Sequence, residues 1–152
     1  DEDAHLVAEH SFEACEYLWH LHEGDRLDLQ FVPTPGRIAY HQPCHLRVLD
    51  PGQSGPKLLG LVPELEVEAI EAGCTGMAGT WGLQRKNYRN SLRIGWPLIS
   101  AMRSARVSIA TTECSACKMQ IEHGCDRKTF HPLKLLAYAY GRMPKVEKEL
   151  GW

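Results

Sequence analysis

Apolar positions along the chain switch between two periods, and the switches mark out the elements. From Ser11 to His22, Phe12, Cys15, Leu18, Trp19 and His22 recur at helical spacing. Ser11 is placed to cap the first turn of that helix and Gly24 to stop it. Asp25 to Phe31 leaves room for a short second turn before Pro33, Pro35 and Gly36 break the chain. Arg37 to His41 then reads as a strand, Asp50 to Pro56 as a loop and Lys57 to Leu61 as a short helix. Between Leu65 and Ile70 the period falls to two, with Leu65, Val67 and Ala69 alternating against Glu66 and Glu68. A polar helix is predicted from Leu83, with Tyr88, Leu92, Trp96, Ile99 and Met102 along one face; Pro97 either kinks it or opens a second helix. Arg106 to Thr111 is the third strand, Lys118 to His123 a helix ended by Gly124, and Lys128 to His131 a fourth strand. Pro132 starts the helix Leu133 to Tyr140, which Gly141 closes.

Strands separated by helices predict an α/β domain with a mainly parallel sheet flanked by helices. At 152 residues one domain is expected, a helical leader over 1–35 followed by a core over 36–152. The chain begins Asp1-Glu2-Asp3 without a methionine, as a processed product or a part of a larger protein would. A hydrophobic content of 43% and a charged content of 24% are ordinary for a globular chain. The net charge of −2 gives no general pull toward nucleic acid, and no apolar run reaches bilayer-spanning length. Six cysteines could form three disulfides, but Cys-x-x-Cys spacing without a secretion signal favours reduced thiols in the cytoplasm.

Four of these cysteines follow apolar runs that read as strands. Cys44 lies in His41-Gln42-Pro43-Cys44-His45, Cys74 in Gly73-Cys74-Thr75-Gly76, and the last pair in Cys114-Ser115-Ala116-Cys117. A parallel sheet gathers such strand ends on one edge, so the four thiols are expected at its C-terminal edge. Four converging thiolates point to a metal or iron–sulfur site. A dithiol redox pair at Cys114 and Cys117 is the intermediate reading, and it leaves Cys44 and Cys74 unexplained. The glycines of Gly73 to Gly82 permit positive φ and could aim amide N–H groups at an anion or at sulfur; a phosphate loop aided by Arg85 and Lys86, or a tight turn that only packs, are the rivals. His41 and His45, which flank Cys44, lead His123 and His131 as candidates to hydrogen-bond a sulfur. Cys15 reads as core and Cys125 as a surface or loop thiol.

Pro43-Cys44-His45-Leu46-Arg47, Cys74-Thr75-Gly76-Met77-Ala78-Gly79 and Cys114-Ser115-Ala116-Cys117, in that order, resemble the cysteine-rich CCG module of iron–sulfur oxidoreductases. That module occurs in the C subunit of anaerobic glycerol-3-phosphate dehydrogenase, glycolate oxidase iron–sulfur subunits and heterodisulfide reductase B subunits. It also forms the C-terminus of flavin-linked dehydrogenase fusions, where the resemblance is closest, and it spans Ile38 to about Gly141. The resemblance implies cluster binding by Cys44, Cys74, Cys114 and Cys117 and electron transfer from a flavin-containing dehydrogenase subunit or domain to a quinone or another acceptor. Thr75 stands where the family has the second cysteine of Cys-Cys-Gly. A single [4Fe–4S] cluster is therefore expected, with a tetrahedral zinc in a structural or interaction module as the alternative. No catalytic residue is expected in the isolated chain, and attachment to a membrane would run through a partner. The basic set Arg85, Lys86, Arg89, Arg93 and Arg103, with Trp81 and Trp96, is the expected docking face; the bland rival is a solvated helix side with core tryptophans.

Overall fold

The computed structural model describes residues 1–50 and 52–150; Pro51 of the predicted loop and positions 151–152 of the predicted core lie outside them. The chain folds as an α/β domain on a four-stranded, all-parallel sheet. Its strands are β1 (Gly36–Tyr40), β2 (Leu65–Ala69), β3 (Ile109–Thr111) and β4 (Thr129–Phe130), in the spatial order β2-β1-β3-β4. Ile38 pairs with Val67 on one side and Ile109 on the other, so β1 lies inside the sheet.

Ile38, Leu65, Ile109 and Phe130 pack on one face of the sheet. They meet α2 (Ala14–Glu23) through Cys15, α4 (Ser54–Leu59) through Leu58 and Leu59, and α7 (Pro132–Ala139) through Leu135 and Leu136. On the other face Ala39 and Ala110 pack under Leu98 and Met102 of α5 (Tyr88–Ser104) and Ile121 of α6 (Ser115–Cys125). The small side chains of Ala39 and Ala110 let α5 and α6 sit close to the strands. α1 (Glu2–Glu9) buries no residue, and α3 (Leu46–Leu49) and α8 (Glu147–Leu150) are single turns.

Boundaries moved where local hydrogen bonding overrode periodicity. α2 begins at Ala14 because Glu13 is the cap: its carboxylate accepts from the Cys15 amide at 2.6 Å and the Glu16 amide at 3.3 Å. The Glu16 carboxylate accepts in return from the Glu13 amide at 3.1 Å, completing a capping box. Ser11, expected as the cap, instead donates its hydroxyl to the Val7 carbonyl at 2.7 Å at the end of α1. Asp25 to Phe31 forms no helix. α4 starts three residues before the predicted Lys57, where the Asp50 carboxylate accepts from the Ser54 amide at 2.8 Å. Leu83 closes a 3-10 turn (Trp81–Leu83), and α5 opens only at Tyr88 and runs unbroken through the exposed Pro97. α6 opens directly after Cys114 rather than at Lys118. It passes through Gly124, which is a contact point and not a stop, because a Cβ there would crowd the Ile99 side chain of α5. Asp126, in the left-handed region at φ 52°, ends it.

Candidate functional site

The chain reverses its direction across the sheet between β1 and β3: from β1 it passes to β2 on one side, then over to β3 and β4 on the other. In open parallel sheets a crevice forms outside the carboxyl ends of the strands at such a switch point. Cys44 lies in the turn after β1, Cys74 in the loop after β2, Cys114 in the loop after β3, and Cys117 in the first turn of α6. All four therefore lie on the C-terminal edge, on three neighbouring strands, as the sequence implied.

Cys114 is the N-cap of α6, and its Sγ accepts from the Cys117 amide at 3.5 Å. Cys117 is buried, and the hydroxyl of buried Thr75 donates to its Sγ at 3.4 Å. Burial pushes the Cys117 thiol up to about 12. The Thr75 hydrogen bond works against that rise, and the charges of nearby Cys114 and Cys44 add to it. Cys44 thus lies within electrostatic reach of the Cys114–Cys117 pair. Cys74 is exposed, and its Sγ accepts from the Gly76 amide at 3.2 Å within its own loop. Among the described residues no three His, Cys, Asp or Glu side chains stand close enough to enclose one metal ion. The fold brings Cys114, Cys117 and Thr75 into contact with Cys44 nearby, and turns Cys74 toward its own backbone.

The loop after β2 holds Thr75 in place by backbone contact with α5. Gly76 has φ +86°, and a Cβ there would overlap the Ser91 carbonyl oxygen. A Cβ on Gly95, one turn further along α5, would overlap the Thr75 carbonyl oxygen. Only glycine at both points lets the loop lie on the helix and carry Thr75 to Cys117. The packing reading and the sulfur-facing reading of this loop therefore hold together, since the Gly76 amide meets a sulfur while its Cα meets a helix.

The histidines differ in placement. His41 is buried at the end of β1, its Nδ1 has no hydrogen-bond partner, and burial followed by the charge of Arg47 lowers its pKa to about 4. His45 is exposed at the start of α3. His123 is hydrogen-bonded to the Tyr88 hydroxyl, and His131 caps α7 by accepting from the Leu133 amide at 3.2 Å. Cys15 is fully buried core, as expected. Cys125 is not a loop thiol: it ends α6, half-buried, with its S–H donating to the Ile121 carbonyl at 2.8 Å.

Two residues of the edge escaped sequence reasoning. The Thr112 hydroxyl is buried without a partner. Glu113 accepts from the Tyr40 hydroxyl at 3.0 Å, and burial raises its carboxyl to about 7. Their only signal in the sequence was their place between a strand and a cysteine. Soft thiols along this edge, with partnerless buried polar atoms on His41 and Thr112 just past the ends of β1 and β3, suit a sulfur-bound inorganic centre.

Residues 38–122, more than half of the chain, match the family model described as a cysteine-rich domain, CCG. Over 127 residues the chain is 36% identical to the C subunit of anaerobic glycerol-3-phosphate dehydrogenase from Escherichia coli, covering 83% of this chain and 32% of that protein. An uncharacterised iron-sulfur protein of Methanocaldococcus jannaschii is 33% identical over 100 residues, or 65% of this chain and 20% of its own length. The B subunit of the fumarate reductase (CoM/CoB) of Methanothermobacter marburgensis is 29% identical over 126 residues, 76% of this chain and 25% of that protein. The chain thus spans a third or less of each of these relatives. No solved structure matches it.

Proposed function

The chain belongs to the cysteine-rich CCG domain family, and we propose on that premise that it is the iron–sulfur electron-transfer module of a flavin-linked oxidoreductase. The observation that carries the proposal is the set Cys44, Cys74, Cys114 and Cys117 on one edge of three neighbouring strands, in a chain whose relatives are named as an iron-sulfur protein and as dehydrogenase and reductase subunits. These four cysteines are the proposed ligands, and the proposed centre is a single [4Fe–4S] cluster. When bound, such a cluster supplies a one-electron carrier. A zinc-stabilised module would use the same thiolates, but no relative's name supports it.

The chain's own residues have defined tasks at this site. Cys114 and Cys117 present two sulfurs from one helical start, where the free amides of α6 favour negative charge. Thr75 and the Gly76 amide donate to sulfur and orient it. Leu98, Met102 and Ile121 close the sheet face on the side of α5 and α6, and Cys117 is itself buried.

The module is the core over 36–152, with 1–35 as a helical leader, within a larger protein. Its electron donor is a flavin-containing dehydrogenase subunit or domain, and a quinone is the proposed acceptor. The docking face is the basic set Arg85, Lys86, Arg89, Arg93 and Arg103 with Trp81 and Trp96, drawn from a stretch, Gly73 to Thr112, that contains no Asp or Glu. Trp81 and Trp96 are 37% and 54% exposed there, so neither is a core residue, and Leu83 and Ile94 are exposed beside them. Such a basic rim around apolar side chains would steer an acidic partner surface. No helix among the described residues is long and apolar enough to cross a membrane; the proposed setting is the cytoplasm, with any membrane attachment made by the partner.

Anaerobic purification followed by iron, sulfide and zinc analysis with a visible spectrum tests the reading. Iron and acid-labile sulfide in equal amounts are expected, and zinc without sulfide would overturn it. Turnover of 2-hydroxy acids or glycerol 3-phosphate by the chain alone, with an artificial acceptor, would also count against a pure electron-transfer role.

A further inference from the structure

At the carboxyl edge of the sheet, Nδ1 of His41 and Oγ1 of Thr112 are buried side-chain atoms with no hydrogen-bond partner among the described residues. The two residues are 1% and 2% exposed. Leaving such groups unpaired costs a fold stability, so a pair of them beside one another calls for a function. Both belong to the continuing ladder: the His41 amide donates to the Thr111 carbonyl at 3.0 Å and the Thr112 amide to the Phe130 carbonyl at 3.0 Å. Extended backbone places His41 on the side of Ala39 and Thr112 on the side of Ala110. Those alanines face the layer of α5 and α6. Cys117 begins its helix in that layer, and Thr75 lies against α5 while donating to the Cys117 sulfur. His41 and Thr112 therefore lie side by side just past β1 and β3, on the sheet face covered by α5 and α6, the same layer in which Thr75 meets Cys117.

We infer that Thr75, Thr112 and His41 form a bed of hydrogen-bond donors beneath the sulfur-bound centre and raise its reduction potential. The inference rests on the cluster reading above. Thr75 already meets a ligand sulfur; Thr112 and His41 are the donors left for the sulfur atoms that the chain does not itself supply. Reduction adds negative charge to the centre, and each donated hydrogen bond stabilises the reduced form more than the oxidised form. None of the three is a ligand, so their removal changes the potential and not the amount of metal bound.

The test uses the anaerobically loaded chain, with iron and sulfide analysis and a potentiometric titration followed by electron paramagnetic resonance. Thr75→Val and Thr112→Val conserve volume and remove one hydroxyl each. Each is expected to keep the wild-type iron content while shifting the one-electron reduction equilibrium by about tenfold, ~59 mV to more negative potential. Thr75→Ser and Thr112→Ser restore the donor and should restore the potential, which a packing role would not predict. His41→Leu should lower the potential in the same direction, and His41→Gln, which keeps an N–H, should lower it less. Without metal, Thr112→Val should raise the melting temperature, since it removes an unpaired hydroxyl, whereas Thr75→Val should not. Full iron content with an unchanged potential in both valine variants would overturn the donor bed and leave the cluster intact. A wild-type chain that takes up no iron would take both readings down together.

Discussion

The loops after β2 and β3 meet where Thr75 touches Cys117, and they deliver their side chains by opposite means. After β3 the chain turns straight into a helix: Cys114 caps it and Cys117 follows one turn later, so regular geometry sets both sulfur directions. After β2 the chain runs through glycines with positive φ, and the direction of each side chain depends on the local sign of φ rather than on a period. The consequence is visible at two adjacent residues. Thr75 is buried against Cys117, while Cys74 is exposed and bonded to its own loop. A regular element fixes which residue faces the site from sequence spacing alone; a glycine loop fixes it only through its contact with α5.

The largest expected effect breaks the comparison if the loops contribute unequally to metal binding. Cys114→Ser and Cys117→Ser should each abolish cluster assembly, because a hydroxyl is a poor substitute for a soft thiolate. Cys74→Ser should reduce iron sharply, and Thr75→Ala should leave it nearly unchanged. Iron and sulfide per chain, measured on anaerobically reconstituted protein, decide the matter. Equal losses in Cys74→Ser and Thr75→Ala would show that position 75 takes part in ligation. Full iron in Cys74→Ser would remove Cys74 from the ligand set.

A second effect concerns stability without metal. Gly76→Ala forces an L side chain into φ +86° and against the Ser91 carbonyl, so a loss of about 3–4 kcal/mol is expected. Ala116→Gly, in the first turn of α6, should cost no more than about 1 kcal/mol. Urea denaturation of the two variants separates a loop defined by contact from one defined by propensity. Similar losses would mean that the close approach of Gly76 to α5 relaxes easily.

The same distinction explains how far the sequence could be read. The parallel sheet, its four strands and the edge carrying Cys44, Cys74, Cys114 and Cys117 followed from apolar periodicity and spacing. The start of α2 did not, because Glu13 and Glu16 satisfy one another's amides, and a glutamate cap carries a weaker compositional signal than Ser11. α6 was placed late because its first turn holds small and sulfur-bearing residues rather than a hydrophobic stripe. Thr112 and Glu113 were missed for a different reason. Their surroundings come from elements distant in sequence, as where Gly55 of α4 lies against the Glu113 carboxylate, and nothing within one segment reports that approach. Tyr40 and Glu113, bonded side chain to side chain, lie far apart in sequence and meet only because β1 and β3 pair.

The smallest effect contrasts the strand-end loops through their titration. The glycine stretch from Gly73 to Gly82 has no carboxylate or histidine, whereas β1 is followed by His41 and β3 by Glu113. Burial raises the Glu113 carboxyl from 4.5 to about 7, so the folded chain holds a proton that the unfolded chain releases. That contribution is complete below pH 4.5 and is lost as pH rises toward 7. Burial lowers His41 from 6.5 to about 4, so here the unfolded chain holds the extra proton, and the contribution is present above pH 6.5 and lost as pH falls toward 4. Each slope is worth at most about 3 kcal/mol, and the two oppose one another over nearly the same window. The slopes of Glu113 and His41 should therefore largely cancel between pH 4.5 and 6.5, leaving the metal-free wild type the gentler rise with pH that burial of His131, whose pKa is also lowered, contributes. Glu113→Gln keeps an acceptor for the Tyr40 hydroxyl but removes the falling slope, so its stability should climb with pH through that window. His41→Gln should show the reverse, a stability that declines as pH rises. Denaturation midpoints measured across the window check both signs, and a flat profile in either variant would mean that its partner residue is solvated rather than buried in the metal-free chain.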